Sequence, residues 1–246
     1  MYKGYKLGIV VPAYNEEELI SETLEGMPQI ADRIYVVDDG STDATRQIIE
    51  GFAGERFCIL SNGQNRGVGA AIVTGYKKCL EEGMDIAVVM AGDKQMDAKY
   101  LPQLLRPIID GKADYAKGNR LSRLGHRSGM SNWRFFGNWL LTLLTRIASG
   151  YWKMRDPQNG YTAITREALR RIDLDRIYPR YGYCNDLLVK LNVAGGKVAD
   201  VPIPARYGRE KSKIEYSSYI TRVSPLLLRG FLWRLKMRYL VPIWRR

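Results

Sequence analysis

The sequence predicts an α/β protein built on a doubly wound, mainly parallel sheet. Short apolar runs rich in β-branched residues recur at Leu7–Val11, Ile34–Val37, Phe57–Leu60 and Ile86–Met90, the pattern of strands buried on both faces. Helical segments separate them, as in successive βα units. Each run gives way within two residues to Pro, Gly, Asn or Asp, so the polar and Gly-rich turns fall on one edge of the sheet. In open α/β sheets that carboxyl edge is where ligands bind.

The first strand, Leu7–Val11, is stopped by Pro12, and Asn15 is placed to cap a helix over Glu16–Met27. The second strand ends in Asp38-Asp39-Gly40-Ser41-Thr42-Asp43, where Ser41 or Thr42 caps a helix reaching Phe52. After the third strand, Asn65-Arg66-Gly67-Val68-Gly69 leads into a helix over Ala70–Glu82. The fourth strand precedes a helix over Ala98–Asp110, and Ala113–Lys117 reads as a fifth strand before Gly118-Asn119-Arg120. Leu121–Ser131 is polar and contains Gly and Ser, so we expect a mobile loop there. Beyond it come a helix over Trp133–Trp152, a loop from Arg155 into a strand ending at Ile164, and a short helix at Arg166–Ile172. The last elements are a helix at Tyr183–Ala194, a strand at Lys197–Pro202, and a helix over Tyr219–Tyr239 interrupted near Pro225. There is no internal repeat.

The chain has 246 residues, 46% of them apolar, enough for a large packed core. Cys58, Cys79 and Cys184 are scattered without a CxxC pair, which argues against a disulfide framework or a zinc site. The single histidine, His126, excludes multi-His metal sites and disfavours a Ser-His-Asp triad. Met1–Lys6 runs straight into a strand-like segment, so we expect no signal peptide and a reducing, cytoplasmic-side setting. Net charge is +12 and unevenly spread: Lys117–Arg155 holds eight Lys/Arg and no acid, and Arg206–Arg246 holds eleven against Glu210 and Glu215. Such basic blocks seek phosphates, whether on a lipid, a nucleic acid or a small ligand.

The chemistry concentrates at the end of the fourth strand. Ile86–Met90 gives way to Ala91-Gly92-Asp93-Lys94-Gln95-Met96-Asp97. A carboxylate beside a low-dielectric core needs a partner. Hard oxygen donors there suit Mg²⁺ or Mn²⁺, which usually also touches a phosphate.

Taken together, Pro12-Ala13-Tyr14-Asn15-Glu16, Asp38-Asp39-Gly40-Ser41-Thr42-Asp43, Asn65-Arg66-Gly67 and Gly92-Asp93-Lys94-Gln95, each after a strand and in this order, resemble the family 2 glycosyltransferases. Those are inverting enzymes of the GT-A fold, and the resemblance covers residues 6 to about 215. It implies that Pro12, Ala13, Tyr14 and Glu16 hold the donor nucleoside and that Asp38, or its neighbour Asp39, reads the base or ribose. A carboxylate accepts hydrogen bonds from base N–H groups or ribose hydroxyls. Asn65 and Gly67 belong by the same resemblance to the loop beside the nucleotide, with Gly92 and Lys94 at the donor. Asp93 and Gln95 match the metal-binding segment, often Asp-x-Asp-x-Gln in relatives; here Ala91 stands at its first position.

The second half resembles the polyprenyl- and dolichyl-phosphate hexosyltransferases within that family, through Gly118-Asn119-Arg120, Trp133-Arg134 with Asn138, and Asp156-Pro157-Gln158-Asn159-Gly160-Tyr161. Asn119 replaces a Ser and Gln158-Asn159 the usual x-Ser pair. By this resemblance Arg120 and Arg134 grip the acceptor phosphate, while Asn138, Asp156, Gln158 and Asn159 shape the acceptor and sugar site. Arg206 or Arg209 covers the donor diphosphate. Asp186 is the general base if the acceptor is a hydroxyl, and orients the sugar or the fold if it is a phosphate. The implied activity is metal-dependent, inverting transfer of a hexose from a nucleotide-diphosphate sugar, of the GDP-mannose or UDP-glucose type, to a polyprenyl or dolichyl phosphate. Two other readings remain: transfer to a sugar hydroxyl, and a non-catalytic nucleotide or nucleic-acid binder. Carboxylates at the strand ends argue against nucleic acid as a partner.

We expect residues 1–215 to form the catalytic domain and 216–246 a basic amphipathic tail. No stretch is long and apolar enough for a spanning helix. Val223–Trp244 interleaves leucines, Phe231, Trp233, Tyr239 and Trp244 with Arg229, Arg234, Lys236 and Arg238, a composition suited to a membrane interface. That places the chain as a peripheral protein at the cytoplasmic membrane face.

Overall fold

The computed structural model describes residues 1–93, 95–120, 132–204 and 216–241, with the backbone alone at 132–138 and 216–222. Its strands are β1 (Leu7–Ala13), β2 (Arg33–Asp38), β3 (Phe57–Ser61), β4 (Ile86–Val89), β5 (Tyr115–Asn119), β6 (Thr162–Thr165) and β7 (Val198–Pro202). They form one sheet in the order β3-β2-β1-β4-β6-β5-β7. β1 pairs in parallel with β2 and β4, β2 with β3, and β5 with β7; β6 alone runs antiparallel, between β4 and β5.

The apolar runs are continuous because both faces of the sheet are covered. Ile9, Val11, Ile34, Val36, Ile86 and Val88 point into one core with α1 (Ile20–Glu25), α2 (Thr45–Glu50) and α4 (Leu101–Ile109). Val10, Tyr35, Val37, Ala87 and Val89 point the other way, onto α3 (Val68–Glu81), α6 (Arg166–Arg171) and α7 (Tyr183–Val193). A smaller third core joins α5 (Asn132–Ser149), α7 and α8 (Tyr216–Leu235) through Leu141, Ala148, Val189, Val223 and Leu227. The guanidinium of Arg234 locks that assembly, donating to the Ala148 carbonyl at 2.8 Å and the Ile147 carbonyl at 3.0 Å at the carboxyl end of α5. Those carbonyls have no partner within their own helix, and a cation there also meets the helix dipole favourably.

Several local expectations are corrected. β1 is not stopped by Pro12 but runs through it, with Pro12 opposite Val37 and Ala13 opposite Asp38. The Val10 carbonyl accepts from the Met90 amide on the β4 side, so Pro12, two residues on, turns its donorless nitrogen that way. β4 has already ended at Val89, so no ladder bond is lost. α8 passes Pro225 without a break, and a π-turn follows at Lys236–Leu240. Pro225 is exposed there and interrupts no packing. Leu121–Ser131 lies outside the described residues.

Candidate functional site

The carboxyl ends of β1 and β2 are stitched together by side chains. Asn15 sits at φ +51 rather than capping a helix, and α1 begins only at Ile20. Its Oδ1 accepts from the Thr42 amide at 2.8 Å, while its own amide donates to Ser41 Oγ at 3.1 Å. The Glu16 amide donates to Thr45 Oγ1 at 2.8 Å, and Glu17 Oε2 accepts from the Ala44 amide at 2.9 Å. Ser41 and Thr42 are thus spent on the β1 loop. Asp43 serves the start of α2 instead, its Oδ1 accepting from the Thr45 amide at 3.0 Å. The result is a rigid double loop that presents Pro12, Ala13, Tyr14 and Glu16 on the sheet edge; of these Ala13 is buried and the others half-buried.

Asp38 and Asp39 are both buried but point to opposite faces, as strand alternation requires. Asp38 Oδ1 accepts from the Ser41 amide at 3.0 Å, and its other oxygen lies 3.8 Å from the Arg46 guanidinium on α2. Asp39 turns toward the loop after β3. Its Oδ1 accepts from Asn62 Nδ2 at 2.7 Å and the Arg66 amide at 3.1 Å, and its Oδ2 from the Gly67 amide at 2.7 Å. Asp39 therefore organises the turn containing exposed Asn65 and buried Gly67. Gly67 has φ +102, and a Cβ there would lie 2.5 Å from the Pro179 carbonyl oxygen. Two residues on, a Cβ at Gly69 would lie 2.3 Å from the Tyr178 carbonyl oxygen. Glycine lets this loop and the 178–182 segment press together.

At the end of β4, Asp93 Oδ1 accepts from the Gln95 amide at 3.2 Å, folding the two oxygen-bearing side chains into one tight turn. Lys94 lies outside the described residues. Asp97 is committed elsewhere: its Oδ1 accepts from the Lys99 amide at 3.0 Å, starting the 3-10 turn before α4, and it pairs with Lys99 Nζ at 3.1 Å. Among the described residues no group of three or more His, Cys, Asp or Glu side chains could hold a metal ion. One carboxylate with a neighbouring amide oxygen fits an ion that completes its shell with water and diphosphate oxygens, as Mg²⁺ and Mn²⁺ do.

The loop before β6 lies against this turn. The Tyr161 hydroxyl donates to the Asp97 carbonyl at 3.3 Å, and a Cβ at Gly160 would lie 3.0 Å from Met96 Cε. Asp156, buried in this loop, takes Arg120 as a two-pronged partner: Nε donates to Oδ2 at 2.8 Å and Nη2 to Oδ1 at 3.1 Å. The Arg120 amide adds a bond to Oδ2 at 3.1 Å. Burial pushes the Asp156 carboxyl up, but the Arg120 charge and bonds outweigh it, and the carboxyl sits below its ordinary range. Asp156 thus orders the loop around Arg120. Asn159 Oδ1 accepts from the Tyr161 amide at 3.0 Å, and Gln158 Nε2 is buried with no hydrogen-bond partner among the described residues.

Two charged residues that the sequence reading passed over lie beneath this loop. Lys117 is fully buried on β5 and donates from Nζ to the Asn159 carbonyl. Asp200 on β7 accepts from Asn119 Nδ2 at 2.6 Å, and burial, with the nearby Asp156 charge, pushes its carboxyl up to about 6. The signal was Lys117 two residues after Tyr115 on the same predicted strand, since strand alternation puts both on one face of a sheet covered on both sides.

Asp186 lies in the first turn of α7, buried, accepting from the Tyr178 amide at 2.8 Å and from Lys190 Nζ. Its described bonds serve the 178–182 segment. Arg134 and Asn138 sit on the backbone of α5, with side chains outside the described residues, as are Arg206 and Arg209 entirely.

A mixed, mostly parallel sheet of this order, with carboxylates and glycines gathered on the carboxyl edge, is the GT-A fold of glycosyltransferases. Residues 8–173 match the model of the family described as glycosyl transferase family 2, and the chain belongs to that family as a glycosyltransferase. It is 29% identical over 214 residues to the UDP-N-acetylglucosamine–dolichyl-phosphate N-acetylglucosaminyltransferase of Methanococcus voltae, covering 81% of this chain and 85% of that one. It is 32% identical over 204 residues to the undecaprenyl-phosphate mannosyltransferase of Micrococcus luteus, covering 79% and 81%. Among solved structures, glucosyl-3-phosphoglycerate synthase of Mycobacterium tuberculosis, in complex with Mn²⁺, UDP and glucosyl-3-phosphoglycerate, superposes with a TM-score of 0.70. That match has 21% identity and covers 94% of this chain and 80% of the other.

Proposed function

We propose that the chain transfers a hexosyl group from a nucleotide-diphosphate sugar to the phosphate of a polyprenyl or dolichyl lipid, with inversion at the anomeric carbon. One observation carries this reading: the Asp93–Gln95 turn and the Arg120–Asp156 fork share one edge of the sheet, joined through Tyr161 and Met96. A site for a departing diphosphate thus lies beside a guanidinium suited to an incoming phosphate. The names of the two relatives supply the same acceptor class, for those proteins.

In this reading Pro12, Ala13, Tyr14 and Glu16 hold the nucleoside against the Asn65–Gly67 loop, and Asp39, turned toward that loop, reads it. Asp93 and Gln95 hold Mg²⁺ or Mn²⁺, which supplies charge neutralisation to the leaving nucleoside diphosphate. Arg206 or Arg209 covers the same diphosphate. Arg120 and Arg134 align the acceptor phosphate, one of whose oxygens forms the new bond to the anomeric carbon as the bond to the diphosphate oxygen breaks. That oxygen is already an anion, so no general base is required. This agrees with an Asp186 engaged by Lys190 and the Tyr178 amide.

The acceptor implies a lipid surface, and α8 has the face for one. Opposite its packed side (Val223, Leu227, Phe231), it exposes Leu228, Leu232 and Trp233, with Tyr239 and Leu240 beyond. Arg229, Lys236 and Arg238 flank them, and no acid occurs from Tyr216 to Arg246. Apolar and aromatic residues edged by cations suit the headgroup region of a bilayer. Among the described residues no helix is long and apolar enough to cross a membrane. On the strength of the α8 face we place the chain as a peripheral protein at the cytoplasmic membrane surface.

The test is a donor screen: purified protein, Mn²⁺, a panel of labelled GDP- and UDP-hexoses, and a short polyprenyl phosphate. The expected product is a labelled lipid that disappears with Asp93→Ala and with Arg134→Ala. Transfer only to soluble sugars, or salt-sensitive DNA binding without turnover, would overturn the proposal.

A further inference from the structure

Lys117 is the centre of the row Thr162–Lys117–Asp200, which crosses three neighbouring strands with Thr162 and Lys117 fully buried and Asp200 half-buried. A fully buried ammonium is costly unless hydrogen-bonded and paired. Its bond is to the Asn159 carbonyl, in the loop that also carries buried Asp156, and its register partner on β7 is Asp200. Asp156 is paired with Arg120, and the Lys117 ammonium ends in the same loop, three residues on. Arg120 reaches Asp156 with a side chain 41% exposed, whereas Lys117 lies fully buried beneath the loop, held at the Asn159 carbonyl. If the Arg120 guanidinium turns to an incoming phosphate, a carboxylate with only 3% of its side chain exposed would otherwise be left in the interior with the Arg120 amide and no counter-charge. That would hold the arginine back, because an uncompensated buried charge is strongly destabilising.

We propose that Lys117 is a positioning residue for the acceptor side: it pins the 156–161 loop by the Asn159 carbonyl and stands as the resident counter-charge of Asp156, so that Arg120 can exchange that carboxylate for the acceptor phosphate. This rests on the lipid-phosphate reading above. Without the ammonium, Arg120, the ion-pair partner of Asp156 among the described residues, is held in its fork. The loss appears at the acceptor, while the donor nucleoside, bound on the far side of β1, is unaffected.

The experiment compares Lys117→Gln, which keeps a donor for the Asn159 carbonyl without the charge, and Lys117→Met, which keeps neither. For both we expect the KM for a short polyprenyl phosphate to rise at least tenfold, with kcat and the Kd for UDP or GDP changed less than threefold. Adding Asp156→Asn, which releases Arg120, should bring the acceptor KM of the Lys117→Gln protein back by threefold or more. A merely structural lysine would give additive losses instead. Hydrogen exchange supplies a readout free of any substrate: the amides of Asn159–Tyr161 should exchange faster in Lys117→Met and near the parent rate in Lys117→Gln. An unchanged acceptor KM, or a double variant worse than either single one, overturns the proposal. So does parental exchange at 159–161 in Lys117→Met. Should Lys117→Met fail to fold, the Lys117→Gln arms decide alone. If no donor yields a lipid product while the loop loosens as expected, the acceptor assignment has failed and the pinning of the loop stands. Normal lipid product with a parental KM would mean the reverse.

Discussion

Asp38 and Asp39 are adjacent in sequence and alike in burial, yet the structure assigns them unequal work, which one pair of substitutions can measure. In Asp39→Asn the side chain keeps one carbonyl oxygen. Pointed at Asn62 and Arg66, it sets its NH₂ against the Gly67 amide; reversed, it faces two donors instead of one. At least one buried N–H is left unpaired, at about 1–3 kcal/mol, and the surviving bonds lose their charge assistance, at about 0.5–1 kcal/mol each. The expected loss is about 3 kcal/mol, a drop in Tm of about 6–12 °C at this chain length. In Asp38→Asn the carbonyl keeps the Ser41 amide, and the partner given up is a half-exposed Arg46 at 3.8 Å, worth at most about 1 kcal/mol. Thermal melts followed by circular dichroism at one protein concentration, with urea midpoints alongside, distinguish the two. Equal shifts for both variants, or a fall below about 2 °C for Asp39→Asn, would refute the assignment of Asp39 as the organiser of the Asn62–Gly67 turn.

Gly69→Ala should cost about 3 kcal/mol, since its methyl meets the Tyr178 carbonyl at 2.3 Å and backbone must move; the urea midpoint should fall with an unchanged slope. Arg234→Met strips the carboxyl end of α5 of its partners, and we expect about 1–2 kcal/mol of destabilisation with faster hydrogen exchange along α8; equal exchange would speak against the clamp. Asp200 holds its proton more tightly in the fold, at about 6, than its ordinary 3.8, so ionising it costs stability that is absent below 3.8 and fully felt above 6. Asp200→Asn should therefore raise Tm relative to the parent at pH 7.5 but not at pH 4. A difference independent of pH would contradict this.

The sheet was legible because its central strands are buried on both sides and read as unbroken apolar runs. β6 was read only as a strand after a loop, since four residues, Thr162–Thr165, carry no signal of direction. The start of α1 was misread because Asn15 has the chemistry of a cap and uses it on Thr42 instead, a partner fixed by two strands lying side by side. The site divided in the same way. Motifs located its loops, but the separation of Asp38 from Asp39 depends on which way a pleat faces. The fork of Arg120 on Asp156, and the placement of Lys117 beside Asp200, depend on register across β5, β6 and β7. Those are long-range facts that no local pattern encodes.

The reversed strand has a consequence for how this scaffold can change. Because β6 runs against β4 and β5, the chain leaves the sheet at Asn119 and re-enters at Thr162 through the same edge. Everything from Arg120 to Tyr161, including α5 and the Asp156–Gly160 loop, is one excursion with both ends anchored side by side. Such a segment can lengthen, shorten or be exchanged without a strand being moved or a crossover rethreaded. The half of the site assigned to the acceptor is therefore a replaceable cassette, set against a nucleotide half whose loops are each tied to consecutive parallel strands.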